Sequence, residues 1–146
     1  MATSLTNKTK MVIGQAPVAA GTTAKSWYVD TAGYDGIRFM VSFGALTSGT
    51  VVSVKLQSAD DASGTNPVDL LGTSVAVADT ADDKAVILDL YRPATRYIGC
   101  YISIATANAV INLGVHELYG PGKLPVVKDA SISGQKINVS PIAGTA

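Results

Sequence analysis

Few side chains in this sequence could act as nucleophile, base or metal ligand, and their spacing limits what they can do. Cys100 is the only cysteine and His116 the only histidine, so a Ser-His-Asp or Cys-His arrangement has to use His116. There is no Gly-x-Ser-x-Gly elbow. Cys100 alternates with Ile98, Ile102 and Ile104, a setting that desolvates a thiol and leaves it inert. No catalytic residue is assigned and no enzyme activity is expected. His116 is expected on a polar or interfacial strand face.

Two groups of aspartates stand out, Asp60, Asp61 and Asp69, and Asp79, Asp82 and Asp83. Either could offer oxygens to calcium in a sandwich loop, but neither has EF-hand spacing, and solvated turn residues are the ordinary reading. Glu117 is the sole glutamate, so a glycosidase carboxylate pair has no assignable partner. The glycines form neither a dinucleotide fingerprint nor a phosphate loop. No metal and no cofactor are therefore assigned. Trp27 with Tyr28, Tyr34, Tyr91, Tyr97, Tyr101 and Tyr119 could build an aromatic platform of the carbohydrate-binding kind, although scattered strand tyrosines are more often packing or interface residues. Trp27 is expected to anchor the core or an interface.

These residues sit on elements that alternate with period two. Ile37, Phe39, Val41 and Phe43 share one side of a strand, with Arg38 and Ser42 on the other. Val52, Val54 and Leu56 repeat the pattern against Ser53, Lys55 and Gln57. The Gly44 to Gly49 turn between them suggests a hairpin. The runs 97–104 and 110–119, joined by Thr106-Ala107-Asn108, suggest a second long hairpin. Ser26 to Asp30 reads as a short first strand, and Ala85 to Tyr91 as a near-continuous apolar strand covered on both faces. Turn signals at roughly ten-residue spacing and no convincing helix indicate an all-β protein, an antiparallel sandwich of jelly-roll-like type. Residues 1–25 show neither alternation nor a helical stripe and read as an extended arm. The sandwich is assigned to 26–121, and 122–146 to an extended tail lying on a neighbour or on its own subunit, with strand pairing at Lys136 to Ser140.

Composition bounds the partners. Charged residues are 15% of 146 and apolar residues 47%, against about 25% charged in an average soluble domain. Part of such a surface should be covered by another protein, so a homo-oligomer is expected. Eleven basic residues balance eleven acidic ones with no basic cluster, which gives no footprint for direct nucleic-acid binding. No apolar run reaches membrane-span length, and the Lys8-to-Pro17 stretch does not make a signal peptide. A single thiol is compatible with synthesis in a reducing cytoplasm.

The order of the pieces carries a resemblance. Trp27 to Asp35, then Ile37 to Thr50, then Val54 to Asp60, followed by Tyr91-Arg92-Pro93-Ala94-Thr95-Arg96-Tyr97 and the close Leu118 to Pro125, resemble the small proteins that decorate the capsid shell of tailed bacteriophages. The likeness covers roughly 26–125 and leaves both ends outside it. It implies a head decoration or cement protein on the outer surface of the virion. Such a protein is β-rich, commonly trimeric, and binds the major capsid protein across capsomer boundaries with terminal arms. Bridging capsomers in this way would resist internal DNA pressure. The motifs are strand and turn patterns, so no family binding residue carries over. The competing expectations are a carbohydrate-binding sandwich module displayed on a virion, and another head or tail component.

Overall fold

A computed structural model describes residues 4–136. A single helical turn, α1 (Leu5–Lys8), precedes ten strands: β1 (Thr9–Gln15), β2 (Val18–Gly21), β3 (Lys25–Asp30), β4 (Tyr34–Leu46), β5 (Val51–Ala59), β6 (Val68–Asp69), β7 (Val75–Val77), β8 (Ala85–Tyr91), β9 (Tyr97–Ala105) and β10 (Ala109–Pro121). They form two antiparallel sheets packed face to face. The front sheet has the order β1-β10-β4-β8 with β2 also on β10, and the back sheet β3-β9-β5-β6 with β7 also on β5. Successive long strands cross from one sheet to the other, which gives the jelly-roll order.

The core is the set of side chains that alternation aims inward. Ile37, Phe39, Val41 and Phe43 from β4 meet Val52, Val54 and Leu56 from β5 and Ile98, Cys100, Ile102 and Ile104 from β9. Phe39 and Phe43 are completely buried.

Neither expected hairpin forms. β4 belongs to the front sheet and β5 to the back, and the same holds for β10 and β9. The chain arches over the edge of the core at Thr47 to Thr50 and again at Thr106 to Asn108. Alternation reports which side of a strand is apolar, and two apolar sides can be buried side by side or facing each other across the interior. Here they face each other. The arches then bond to one another: Thr47 donates its amide to the Asn108 carbonyl at 2.9 Å, and Thr50 Oγ1 donates to Ala107 O at 2.7 Å.

The expected N-terminal arm is in part a piece of the sandwich. β1 runs antiparallel to β10 from Thr9↔Tyr119 to Gln15↔Gly114, and β2 continues along the other end of β10 after Pro17. Its alternation is hard to read because the inward positions are Lys10, Val12 and Gly14, a charge, one apolar residue and a glycine. The Trp27 ring fills the space at Gly14, where a Cβ would lie 2.1 Å from Trp27 Nε1. The tail, as far as it is described, folds back on α1 and β1. Val126 donates to Asn7 O at 3.1 Å, Ser131 Oγ accepts from the Ile13 amide at 3.0 Å, and Lys10 pairs with Asp129 at 3.5 Å. The strand pairing expected at 136–140 lies outside the described residues apart from Lys136. No helix among the described residues is long and apolar enough to cross a membrane.

Candidate functional site

The two groups with the most chemical potential are both in the interior. Cys100 is fully buried on β9, and burial pushes its thiol up to about 12, away from the thiolate that would react. His116 is also buried, which corrects its expected place on an outer face. The cause is a register shift in β10. Ile111 pairs with the inward Phe43 but Leu113 pairs with the outward Ser42, so the inward phase passes from Ala109 and Ile111 to Gly114, His116 and Leu118. A bulge of this kind leaves no mark in the apolar pattern. His116 Nδ1 accepts a 3.2 Å hydrogen bond from Trp27 Nε1, tying the front sheet to the back, and the Trp27 ring meets Phe39 edge-on at 5.7 Å. Burial brings the imidazole down to about 4, with smaller opposing effects from Asp129, which raises it, and Lys10, which lowers it. Trp27, Cys100 and His116 are thus parts of the core.

The aspartates serve the loops. Asp61 accepts from the Ser63 and Thr65 amides and from Thr65 Oγ1, which holds its carboxyl below the usual range. Asp60 accepts from Asn66 Nδ2 at 2.7 Å. Asp79 takes the Gly49 amide at 2.7 Å and Asp82 the Leu46 amide at 2.8 Å, pinning the first arch. Among the described residues, no three His, Cys, Asp or Glu side chains converge as a metal site would need.

The aromatic residues do not gather into one platform. Trp27 is in the core and Tyr34 packs against it. Tyr28, Tyr97 and Tyr101 lie on the outer face of the back sheet, and Tyr91 and Tyr119 on that of the front sheet. What remains as candidate functional surface is these two outer faces.

On the front sheet, register aligns Ile13, Val115, Met40 and Ile87 across four strands, and beside them Met11, Glu117, Arg38 and Asp89. Met11 is 46% exposed, Met40 36% and Ile87 57%. Together with Arg38, Val115 and Glu117 they line a shallow hollow of about 110 Å³. Arg38 donates to Glu117, whose side chain is only 10% exposed against 46% for Arg38. Tyr119 lies over Gly36 and donates to Asp89 Oδ1 at 2.6 Å; burial, then the carboxylate, raise its hydroxyl to about 12.

The back sheet presents a polar face. Tyr28 donates to Gln57 Oε1 at 2.6 Å, Gln57 Nε2 donates to Asp69 Oδ1 at 2.7 Å, and Lys55 Nζ donates to Asp69 Oδ2 at 2.6 Å while standing 5.1 Å from the Tyr101 ring centre. The Tyr28 ring covers Gly99, where a Cβ would meet it at 2.3 Å. Sequence reasoning missed this chain of bonds. Its one signal is a glycine inside the alternating run 97–104, which marks a close approach. No protein-family model and no curated protein matches the chain.

Proposed function

We propose that this chain is a structural virion protein that decorates and stabilises a bacteriophage capsid. It binds the major capsid protein across capsomer boundaries on the outer surface of the shell, and its copies assemble as trimers. The observation that carries the reading is the exposed apolar row of Ile13, Met40 and Ile87 beside Met11 on the front sheet of a chain with few charges. Covering such a row stabilises a joint by about 25 cal/mol per Å² without any reactive group, offset in part by the entropy of association. The resemblance of 26–125 to phage decoration proteins points the same way.

The docking element moves, however, from a free arm to a sheet face. β1 and β2 are strands of the sandwich, so deleting 1–25 would strip the edge of β10 rather than trim an appendage. The test uses full-length chain mixed with expanded shells made of the major capsid protein of the same phage. The native chain is expected to bind stoichiometrically and Met40→Asp to lose occupancy. Absence of native binding would overturn the function, and full occupancy by Met40→Asp would overturn the face.

A carbohydrate-binding module is the second reading, and it rests on the back sheet, where Tyr101, Lys55, Gln57 and Asp69 offer a ring beside donors and acceptors. Glycan-array binding that disappears in Tyr101→Ala, without shell binding, would favour it.

A further inference from the structure

The two sheets have four edges, and three are guarded. β1 carries Lys10, shifts register between Ile13 and Gln15, and is covered by the tail through Ser131 and Asp129. β3 carries Lys25 and has β1 packed alongside it, with Gly14 against Trp27. β6 and β7 are two and three residues long. Charge, irregularity, cover and shortness are the ordinary protections against edge-to-edge pairing.

β8 is neither irregular, covered nor short, and it carries one charge. It is a seven-residue strand, Ala-Val-Ile-Leu-Asp-Leu-Tyr, without lysine or proline, and it pairs with β4 in unbroken register. Its single charge, Asp89, is held over the sheet by Tyr119. Two bonds flanking the strand set the phase of its ladder: Phe43 donates to Lys84 O, and Arg92 donates to Asp35 O. Even-numbered residues therefore bond to β4, whereas Ala85, Ile87, Asp89 and Tyr91 aim their N–H and C=O groups outward. Among the described residues nothing meets those groups.

We propose that the free edge of β8 pairs with β8 of a second copy, antiparallel about a two-fold axis through Leu88. A second copy presents the same free edge, and residue chemistry selects the register. Outward-bonding residues must oppose each other, which leaves axes at residue 87, 88 or 89. An axis at Asp89 sets two carboxylates face to face. An axis at Ile87 pairs Tyr91 with Asp83, whose φ of 57° is not strand backbone. With the axis at Leu88 all seven residues pair: Ile87 opposes Asp89, Ala85 opposes Tyr91, and the half-buried Val86, Leu88 and Leu90 meet their counterparts along the open side of the core. The contact is isologous and closes between two copies, so it is distinct from a three-fold contact. It stands on the backbone geometry of β8 and does not depend on the virion reading.

The test is register-specific. Leu88 opposes itself in a non-bonded pair, with Cα atoms about 4.5 Å apart, within disulfide reach. Leu88→Cys is expected to give a covalent dimer on mild oxidation, while Ile87→Cys and Asp89→Cys crosslink only when the two chains are mixed. In sedimentation equilibrium Ile87→Asp, at an exposed position, weakens the dimer at least tenfold, and Ile87→Lys, facing Asp89, does not; circular dichroism checks the folding of each. A native chain with no two-fold association up to 100 μM, on the order of a weak contact's Kd, would overturn the proposal. So would a dimer in which Leu88→Cys fails to crosslink, or equal affinities for Ile87→Asp and Ile87→Lys.

Discussion

The two outer faces of the sandwich arise from the same strand alternation and are finished differently. On the back sheet the outward groups are tied to one another, Tyr28 to Gln57, Gln57 to Asp69 and Asp69 to Lys55. On the front sheet one charged pair, Arg38 and Glu117, and one Tyr119–Asp89 bond border an apolar row left in contact with solvent. A face whose polar groups are already satisfied gains little from a partner. A face of exposed methionine and isoleucine gains the hydrophobic term as soon as another protein covers it. The proposed docking therefore uses the front sheet, and the contrast behind it can be broken by experiment.

The largest expected effect comes from acid, and it should be felt first on the front side. His116 has a folded pKa of about 4 against an unfolded value near 6.5. The folded state thus binds fewer protons. This stability is fully present above about pH 6.5 and is lost as pH falls toward 4, amounting to about 3 kcal/mol over the window. Urea midpoints measured at pH 7.5 and 4.5 should show the loss, and His116→Gln should flatten it. Hydrogen exchange should open β10 and β1 before β5 and β9; opening in the reverse order would remove the asymmetry. Asp30 acts with the same sign but later. Its Arg96 hydrogen bonds hold the carboxyl down to about 2, so its contribution is lost only below about pH 4.

Next in size is a change that attacks the back face. Gly99→Val puts a side chain where the Tyr28 ring lies, and displacing that ring breaks its bond to Gln57. A cost of about 2 kcal/mol is expected, as for overpacking, read by thermal or denaturant unfolding. Arg38→Leu on the front face leaves the carboxylate of Glu117 largely out of water without its partner. Because Arg38 is itself half exposed, the loss is discounted to about 1 kcal/mol. The smallest effect on stability is that of Met40→Asp, within about 0.5 kcal/mol for an exposed position, yet it should abolish shell occupancy. If Met40→Asp unfolded the chain while Gly99→Val left it intact, the roles of the two faces would have to be exchanged.

Much of this contrast was legible in the residue order. The inward sets of β4, β5 and β9 follow from period-two spacing, and so do the outward positions Arg38, Met40, Lys55 and Gln57. His116 was not legible, because a bulge near Asn112 changes the phase of β10 and no residue type announces it. β1 was not legible either, since its inward positions are Lys10, Val12 and a glycine, Gly14, whose space is filled by Trp27 from the other sheet.

What the amino-acid order by itself determined is the class of structure: strand-forming runs, their buried sides, their turn regions, and a low share of charged residues. Those properties depend on neighbours along the chain. Which strand pairs with which was decided only by the tertiary structure. Two apolar strand faces are equally well buried beside each other or across a core, so the runs that looked like two hairpins became two arches. The same choice placed β10 between β1 and β4, aligned Ile13, Met40 and Ile87 into one row, and left β8 as an edge. No local pattern contains that information, because it lies in register between segments as far apart as Thr9 and Tyr119.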